Sequence, residues 1–373
     1  MTDPIVVVGA GLAGAATAWR LAAGGRDVVL VEAGTPANAA GSSHGSARIF
    51  RHAYPDPLYV GLAKRAHAGW EQLEAESGSA VLTLTGGLDF GAGRDLGAVE
   101  SALAAHGIGS ERLDAAEAHA RWPHLAFDSP VLHHREAGVI DAATAVERMV
   151  DLARRHGAEV LLGDRVVRVE EAKDGAIVHL ERGRALRASA VVIAAGGWLP
   201  ELAAALPDGV SARLPRLEVT QQQVFHFPFP QQPQHPTDWP VFISGDPMSI
   251  YSLPGGRDAG GVGFKIAEHD RGTPTSASGR DGVVDAGSRA RIVEVVRRLL
   301  PTVDPTPYAE ATCLYTRTAN EDFVIDRVGH VVIASPCSGH GAKFAPVLGE
   351  LIADAATGGD GVPDRFRLAS HAA

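Results

Sequence analysis

The sequence predicts an α/β protein of two intimately joined domains, the first a Rossmann-like dinucleotide-binding unit. Three observations carry this. The first thirty-odd residues hold strand, glycine turn, helix, strand and terminal acid in the order such a unit requires. A second buried run, VVIAAGGW at residues 191–198, again leads into a glycine pair. At Pro215 the composition shifts, and short strand-like segments follow. A length of 373 residues gives two domains ample core.

The opening stretch reads IVVVGAGLAGAATAWRLAAGGRDVVLVEAG. Residues 5–8 are a short β-branched run, as a buried parallel strand should be. Gly9, Gly11 and Gly14 then complete G-x-G-x-x-G. Gly9 permits the tight turn, Gly11 lets a pyrophosphate approach the backbone, and Gly14 lets the helix pack on the strand. The helix expected at residues 13–23 directs its positive N-terminal end at that charge. The second strand spans 27–31, and Glu32 closes it where a carboxylate can hydrogen-bond a ribose hydroxyl pair.

A loop of small residues at 34–45 runs into SSHGSARIFRHAY, residues 42–54. Ser42, Ser43 and His44 lie where backbone donors can approach a cofactor closely. Arg48 and Arg51 flank the apolar pair Ile49-Phe50, which draws at least one of them inward. Pro57 opens a helix to Ser77 with Leu58, Leu62, Ala66, Trp70 and Leu73 on one stripe. Residues 81–90 read as a strand pair broken at Gly86-Gly87. Helices follow at 95–105 and after the capping box Asp114–Glu117, and a longer one at 143–156. Strands are expected at 159–162, 165–171 (with Val166), 176–181 and 190–195, the last ending at Gly196. A glycine pair at a strand's C-terminal end is where a cofactor crosses an α/β sheet.

Beyond Pro215, residues 219–229 read as an antiparallel strand, while the Gln/Pro-rich stretch 221–236 reads as a loop. Short strands are expected at 242–243, 250–253 and 261–266, and an amphipathic helix at 287–300. A last buried strand at 331–334 precedes a glycine-rich loop and a final helix with Phe344, Val347, Leu348, Leu351 and Ile352 on one stripe.

The net charge of −10 and pI of about 5.9 argue against nucleic acid or an anionic membrane as partner. No run is long enough to span a bilayer, and residues 1–4 lack the positive start of a signal peptide. The two cysteines, Cys313 and Cys337, suit a reducing cytoplasm. No Cys/His cluster has zinc-ligand spacing, so no metal is expected.

Three separated blocks resemble the monomeric sarcosine oxidase and N-methyl-amino-acid oxidase group of D-amino-acid-oxidase-like flavoproteins. They are the fingerprint with SSHGSARIFRHAY, CLYTRTANEDFVID at 313–326, and SGHGAKFAPVLGE at 338–350. GFKIAEH at 263–269 fits more loosely. The resemblance implies FAD rather than NAD. It implies a Rossmann-like FAD-binding domain, discontinuous in sequence, over 1–86, 140–215 and 310–373. The substrate domain, 87–139 and 216–309, would be built on a mixed, largely antiparallel sheet.

By the same resemblance, Cys313 matches the cysteine joined through sulfur to the flavin 8α carbon. Arg51 and Lys343 match a clamp on the substrate carboxylate, and Arg48 and His44 match positions close to the flavin ring. Lys265 matches the lysine where oxygen reacts, and His269, Tyr251 and Tyr315 line the substrate side. Gly339 and Gly341, just before Lys343, would offer backbone N–H groups to a reduced flavin. Two departures stand out: Ala342 replaces a phenylalanine usual beside the clamp lysine, and Ala47 replaces a common threonine. If Ala342 faces the pocket, a substrate larger than sarcosine fits. The activity implied is oxidation of a secondary or N-methyl amino acid to an imine, with O2 reduced to H2O2, by a monomer. The alternatives are a flavin-dependent dehydrogenase or desaturase of a cyclic imino acid or biosynthetic intermediate, a flavin-binding module without turnover, and an NAD-linked dehydrogenase.

Overall fold

The computed structural model describes residues 3–246 and 248–371. Its first sheet has six strands in the order Val324–Val328, Val331–Ser335, Ala190–Ile193, Ile5–Val8, Val28–Glu32 and Glu159–Leu162. All neighbours are parallel except the first pair. Successive side chains of a strand point to opposite faces, and the apolar residues divide accordingly. Val7, Leu30, Val192 and Val332 face one core, which holds the helices Leu12–Ala23, Ala142–Arg155 and Ala345–Ala356. Val6, Val29, Val191 and Val331 face the other, closed by a three-stranded antiparallel sheet, Val166–Ala172, Gly175–Leu180 and Ala185–Ala188. The β-branched runs seen in the sequence are therefore strands buried on both faces.

Gly14 fixes how close the first helix comes to its strand. A Cβ there would overlap the Gly9 carbonyl oxygen, so no larger residue allows this approach. Trp19 and Trp70 are fully buried in the same core.

A second sheet of nine strands includes Gly87–Phe90, Val241–Ser244, Ile250–Pro254, Gly263–Glu268, Glu218–Pro228 and Ala309–Arg317. One face carries Leu88, Phe90, Phe225, Phe227, Phe242, Phe264 and Ile266 against the helix Ala286–Leu299. The opposite face carries Asp89, His226, Tyr251, Lys265 and Cys313, the polar residues of the same strands. The strand pair expected at 81–90 does break at Gly86: Leu82–Leu84 joins a small sheet with Arg48–Phe50 and Gly138–Ile140, while Gly87–Phe90 enters the large one.

The loop expected at 221–236 is corrected. Residues Glu218–Pro228 form one strand of 11 residues, paired along nine positions with Ala309–Arg317. The glutamines that suggested a loop are buried: Gln222 donates to the Thr220 hydroxyl at 2.8 Å within the strand, and Gln221 donates to Asp281 of an adjoining loop at 2.9 Å. The strands Ala309–Arg317 and Val324–Val328 were not foreseen. Residue 310, where the sequence suggests a domain boundary, falls inside the first of them.

Candidate active site

The two sheets meet at one cavity of about 1120 Å³. That exceeds the ~300–1000 Å³ of ordinary small-molecule sites and leaves room for a dinucleotide beside a small substrate. It is lined by Gly9, Gly11, Glu32, Ser42, Ser43, His44, Val166 and Gly196 toward the parallel sheet, and by Tyr251, Lys265, His269, Cys313 and Tyr315 toward the other. Arg48, Arg51, Gly339, Gly341 and Lys343 complete the wall. Of the residues picked from the sequence, Gly14 alone stands behind the lining, where it serves the helix contact described above.

At the fingerprint end, Glu32 is fixed by its own turn: Oε2 accepts from the Ala10 N–H at 2.7 Å and Oε1 from the Gly34 N–H at 2.9 Å. Ser43 Oγ accepts from the Leu12 N–H at 3.0 Å, and Ser42 Oγ donates to the Leu314 carbonyl at 2.8 Å. The serine loop thus ties the fingerprint to the strand that carries Cys313. The bare Cα of Gly11 faces Ser43, so the cradle that a Cβ would fill is open to a phosphate. These donors, the glycines and the acid fit the pyrophosphate and ribose of FAD.

At the other end, Arg48 is held by main-chain carbonyls of Ser42, His44 and Ala47, with Nη2 4.0 Å from the Cys313 sulfur. Burial pushes the Cys313 thiol up, but the neighbouring His44 imidazole and the charges of Arg48 and Lys265 outweigh it and bring it down to about 6. Cys337 has no such company, and burial pushes its thiol up. Lys265 is buried, donates to the Ala47 carbonyl at 3.2 Å, and is lowered to about 7 by burial and by Arg48.

Arg51 and Lys343 converge on one aromatic ring. The Arg51 guanidinium carbon lies 4.3 Å from the Tyr54 centroid and the Lys343 nitrogen 5.7 Å from it. Arg51 Nη1 is buried and has no hydrogen-bond partner among the described residues. Lys343 is pinned by its own turn, its Nζ donating to the His340 carbonyl at 2.8 Å while its carbonyl accepts from Trp70 Nε1 at 2.9 Å. Burial, and then Arg51, push its ammonium well below the usual lysine range. Two basic side chains on one ring, neither in a salt bridge among the described residues, offer a place for an anion.

Between that pair and Cys313 stand His269, Tyr251 and Tyr315. Burial, with the charges of Arg317, Lys343 and Arg51, holds His269 down at about 4 despite Asp270, so its imidazole is neutral near pH 7. Burial raises both phenols, which interact with each other. Gly339 adopts φ of 76°, and a Cβ there would overlap the Tyr315 ring, so the turn before Lys343 must be glycine. Ala342 lines the cavity and also packs on the main core.

Sequence reasoning missed Tyr54, Asp89 and Arg94. Tyr54 is the surface on which the two cations meet. Asp89 is the signal that was available: a carboxylate between Leu88 and Phe90 in an apolar strand.

The geometry agrees with comparison to known proteins. A profile of the family described as FAD dependent oxidoreductase (DAO) matches residues 4–355. The monomeric sarcosine oxidase of Streptomyces avermitilis is 33% identical, the alignment covering 99% of this chain and 98% of that protein. The N-methyl-L-tryptophan oxidase of Citrobacter koseri is 29% identical over 96% of this chain and 95% of that protein. Among solved structures, NikD, an unusual amino acid oxidase essential for nikkomycin biosynthesis, superposes with a TM-score of 0.83 at 23% identity, covering 98% and 96% of the two chains. An L-proline dehydrogenase from P. horikoshii gives 0.84 at 20% identity, covering 98% and 97%.

Proposed function

This chain belongs to the family of FAD dependent oxidoreductases, and we propose that within it the protein is an oxidase of secondary or N-methyl amino acids. The observation that carries the reading is the convergence of Arg51 and Lys343 on Tyr54, with a buried guanidinium N–H unpartnered. Bound FAD supplies the two-electron oxidation. Arg51 and Lys343 hold the substrate carboxylate, and a carboxylate there restores the Lys343 ammonium that burial disfavours. This fixes the amine and the carbon to be oxidised, so the reaction gains from orientation. Neutral His269 leaves the amine nitrogen free of a competing positive charge, and Tyr251 and Tyr315 exclude water from that side.

The product is an imine, which hydrolyses. Dioxygen takes up the two electrons and the two protons that the amine gives up and becomes hydrogen peroxide, with Lys265 as the cation beside the negative charge developing on oxygen. Cys313 would hold the cofactor through sulfur at the flavin 8α carbon, a C–H bond there giving way to C–S with its two electrons passing to the oxidised flavin and on to dioxygen; the lowered thiol supports this, since the thiolate is the nucleophile. The absence of a disulfide among the described residues suits a reducing cytoplasm, and a monomer follows the name of the monomeric sarcosine oxidase relative.

A dehydrogenase or desaturase of a cyclic imino acid is the second reading. The observation in its favour is Lys265 at about 7, because a neutral lysine offers dioxygen no cation. A peroxide assay over a panel of N-methylated and cyclic amino acids tests the first reading, and parallel assays with artificial electron acceptors separate it from the second. Peroxide formed in step with substrate loss is the expected outcome. Turnover with artificial acceptors alone would favour the second reading.

A further inference from the structure

Asp89 is the one charged residue of the strand Gly87–Phe90. Leu88 and Phe90 point into the apolar core on one face of the large sheet, so Asp89 points to the other face, which roofs the cavity. The register sets it in a row: Asp89 lies opposite Ile243, and Ile243 opposite Tyr251. With strands ~4.8 Å apart, that places Asp89 about 10 Å along the roof from Tyr251. Its carboxylate is 1% exposed and is held by the Arg94 guanidinium and by His134 Nε2 at 3.3 Å.

Arg94 therefore hangs from the roof, and its side chain lines the cavity. Its Nε is buried without a partner among the described residues. The fields of both Arg94 and Asp89 reach Arg51 and Tyr54, so Arg94 stands at the same end of the cavity as the proposed carboxylate clamp. Of the other acids lining this cavity, Glu32 and Asp164 accept from main-chain N–H groups, Asp258 and Glu201 accept from Ser46 and Ser278, and the remaining four pair with arginines. Asp270 and Glu321 pair with Arg317, and Asp56 and Asp322 pair with Arg365. Arg51, Lys343 and Arg94 are left to face Asp89 alone. One bound carboxylate and Asp89 do not balance three cationic side chains.

We infer that Arg94 forms a second anionic subsite beyond the clamp, so that the preferred substrates are N-substituted amino acids with an acidic side chain. The inference rests on the amino-acid oxidase reading for the place of the first carboxylate. It differs from a merely structural Asp89–Arg94 pair, which would be indifferent to ligand charge.

The test is a titration of the holoenzyme with glutarate and with its half-amide, glutaramate, read as perturbation of the flavin absorbance. Neither ligand is an amine, so binding is read without turnover. Glutarate should bind about 10- to 100-fold more tightly, the ratio that a charge-assisted hydrogen bond supplies. Arg94→Gln alone strands a buried carboxylate, so the pair is exchanged together. In the variant combining Arg94→Gln with Asp89→Asn the two ligands should agree within about two-fold, since neither then meets a side-chain charge at that position. Asp89→Asn alone should strengthen glutarate further by removing its competitor. Equal affinities in the wild type, or a preference that survives the double exchange, would overturn the subsite. Loss of peroxide formation with every N-methyl amino acid, alongside an intact glutarate preference, would remove the oxidase reading and leave the subsite standing.

Discussion

Cys313 and Cys337 are two partly buried thiols with different electrostatic surroundings. Cys313 lies beside His44, Arg48 and Lys265 and is lowered to about 6, whereas burial raises Cys337. Thiolate forms as the pH rises through the lowered value. Attachment of FAD to cofactor-free protein should therefore accelerate from pH 5 to pH 7 and then level off; a rate that is flat or falling over that span would contradict the assignment. Acid-precipitated wild type should stay yellow, Cys313→Ala should release all its flavin, and Cys337→Ala should not. Lys265→Met should slow reoxidation by dioxygen far more than anaerobic reduction by substrate. Equal slowing of both half-reactions would count against its role. At this scale the charged residues beside glycine-rich blocks were legible, because a glycine turn next to a lone cation is a local pattern. Arg94 was not, because its meaning depends on Asp89, and Asp89 acquires its direction only from the pairing of strands distant in sequence.

At the scale of elements, the large sheet is a two-sided device. Phenylalanines on one face bury it against the helix Ala286–Leu299, and the alternate residues of the same strands furnish the cavity. The parallel strands were legible as continuous β-branched runs. The strand Glu218–Pro228 was legible as an antiparallel strand at 219–229, but its glutamines also suggested a loop, since three in a row look like solvent-facing sequence until their partners are known. Gly14 sets the other critical contact. Gly14→Ala should cost about 1–3 kcal/mol through overpacking against the Gly9 carbonyl, read as a lower Tm, and should weaken flavin retention. Unchanged Tm and flavin content would show that the helix can shift freely. Ala342 lines the cavity, so Ala342→Phe should raise KM for bulky N-methyl amino acids more than for sarcosine. A change in stability with no change in that ratio would assign the position to packing.

For the molecule as a whole, we propose that residues 1–86, 140–215 and 310–373 serve the cofactor and 87–139 and 216–309 the substrate. Ala309–Arg317 crosses this division: it is hydrogen-bonded into the large sheet and presents Cys313 and Tyr315 to the cavity. No helix among the described residues is long and apolar enough to cross a membrane. The parallel sheet was legible because the nucleotide fingerprint is contiguous. The cavity was legible only through the resemblance of separated blocks, because spacing alone does not say that Arg51, Tyr251 and Lys343 meet from three distant stretches. We propose that its central feature is the pairing of Arg51 and Lys343 about an anion. The most direct measurement is the anaerobic rate of flavin reduction by an N-methyl amino acid and by its amide, in wild type and in Arg51→Ala. Removing one partner of a desolvated charge pair costs about 2–5 kcal/mol. Wild type should strongly favour the acid over the amide, and Arg51→Ala should lose most of that preference while reducing the amide at close to the wild-type rate. An acid-to-amide preference of the same size in both proteins would contradict the account.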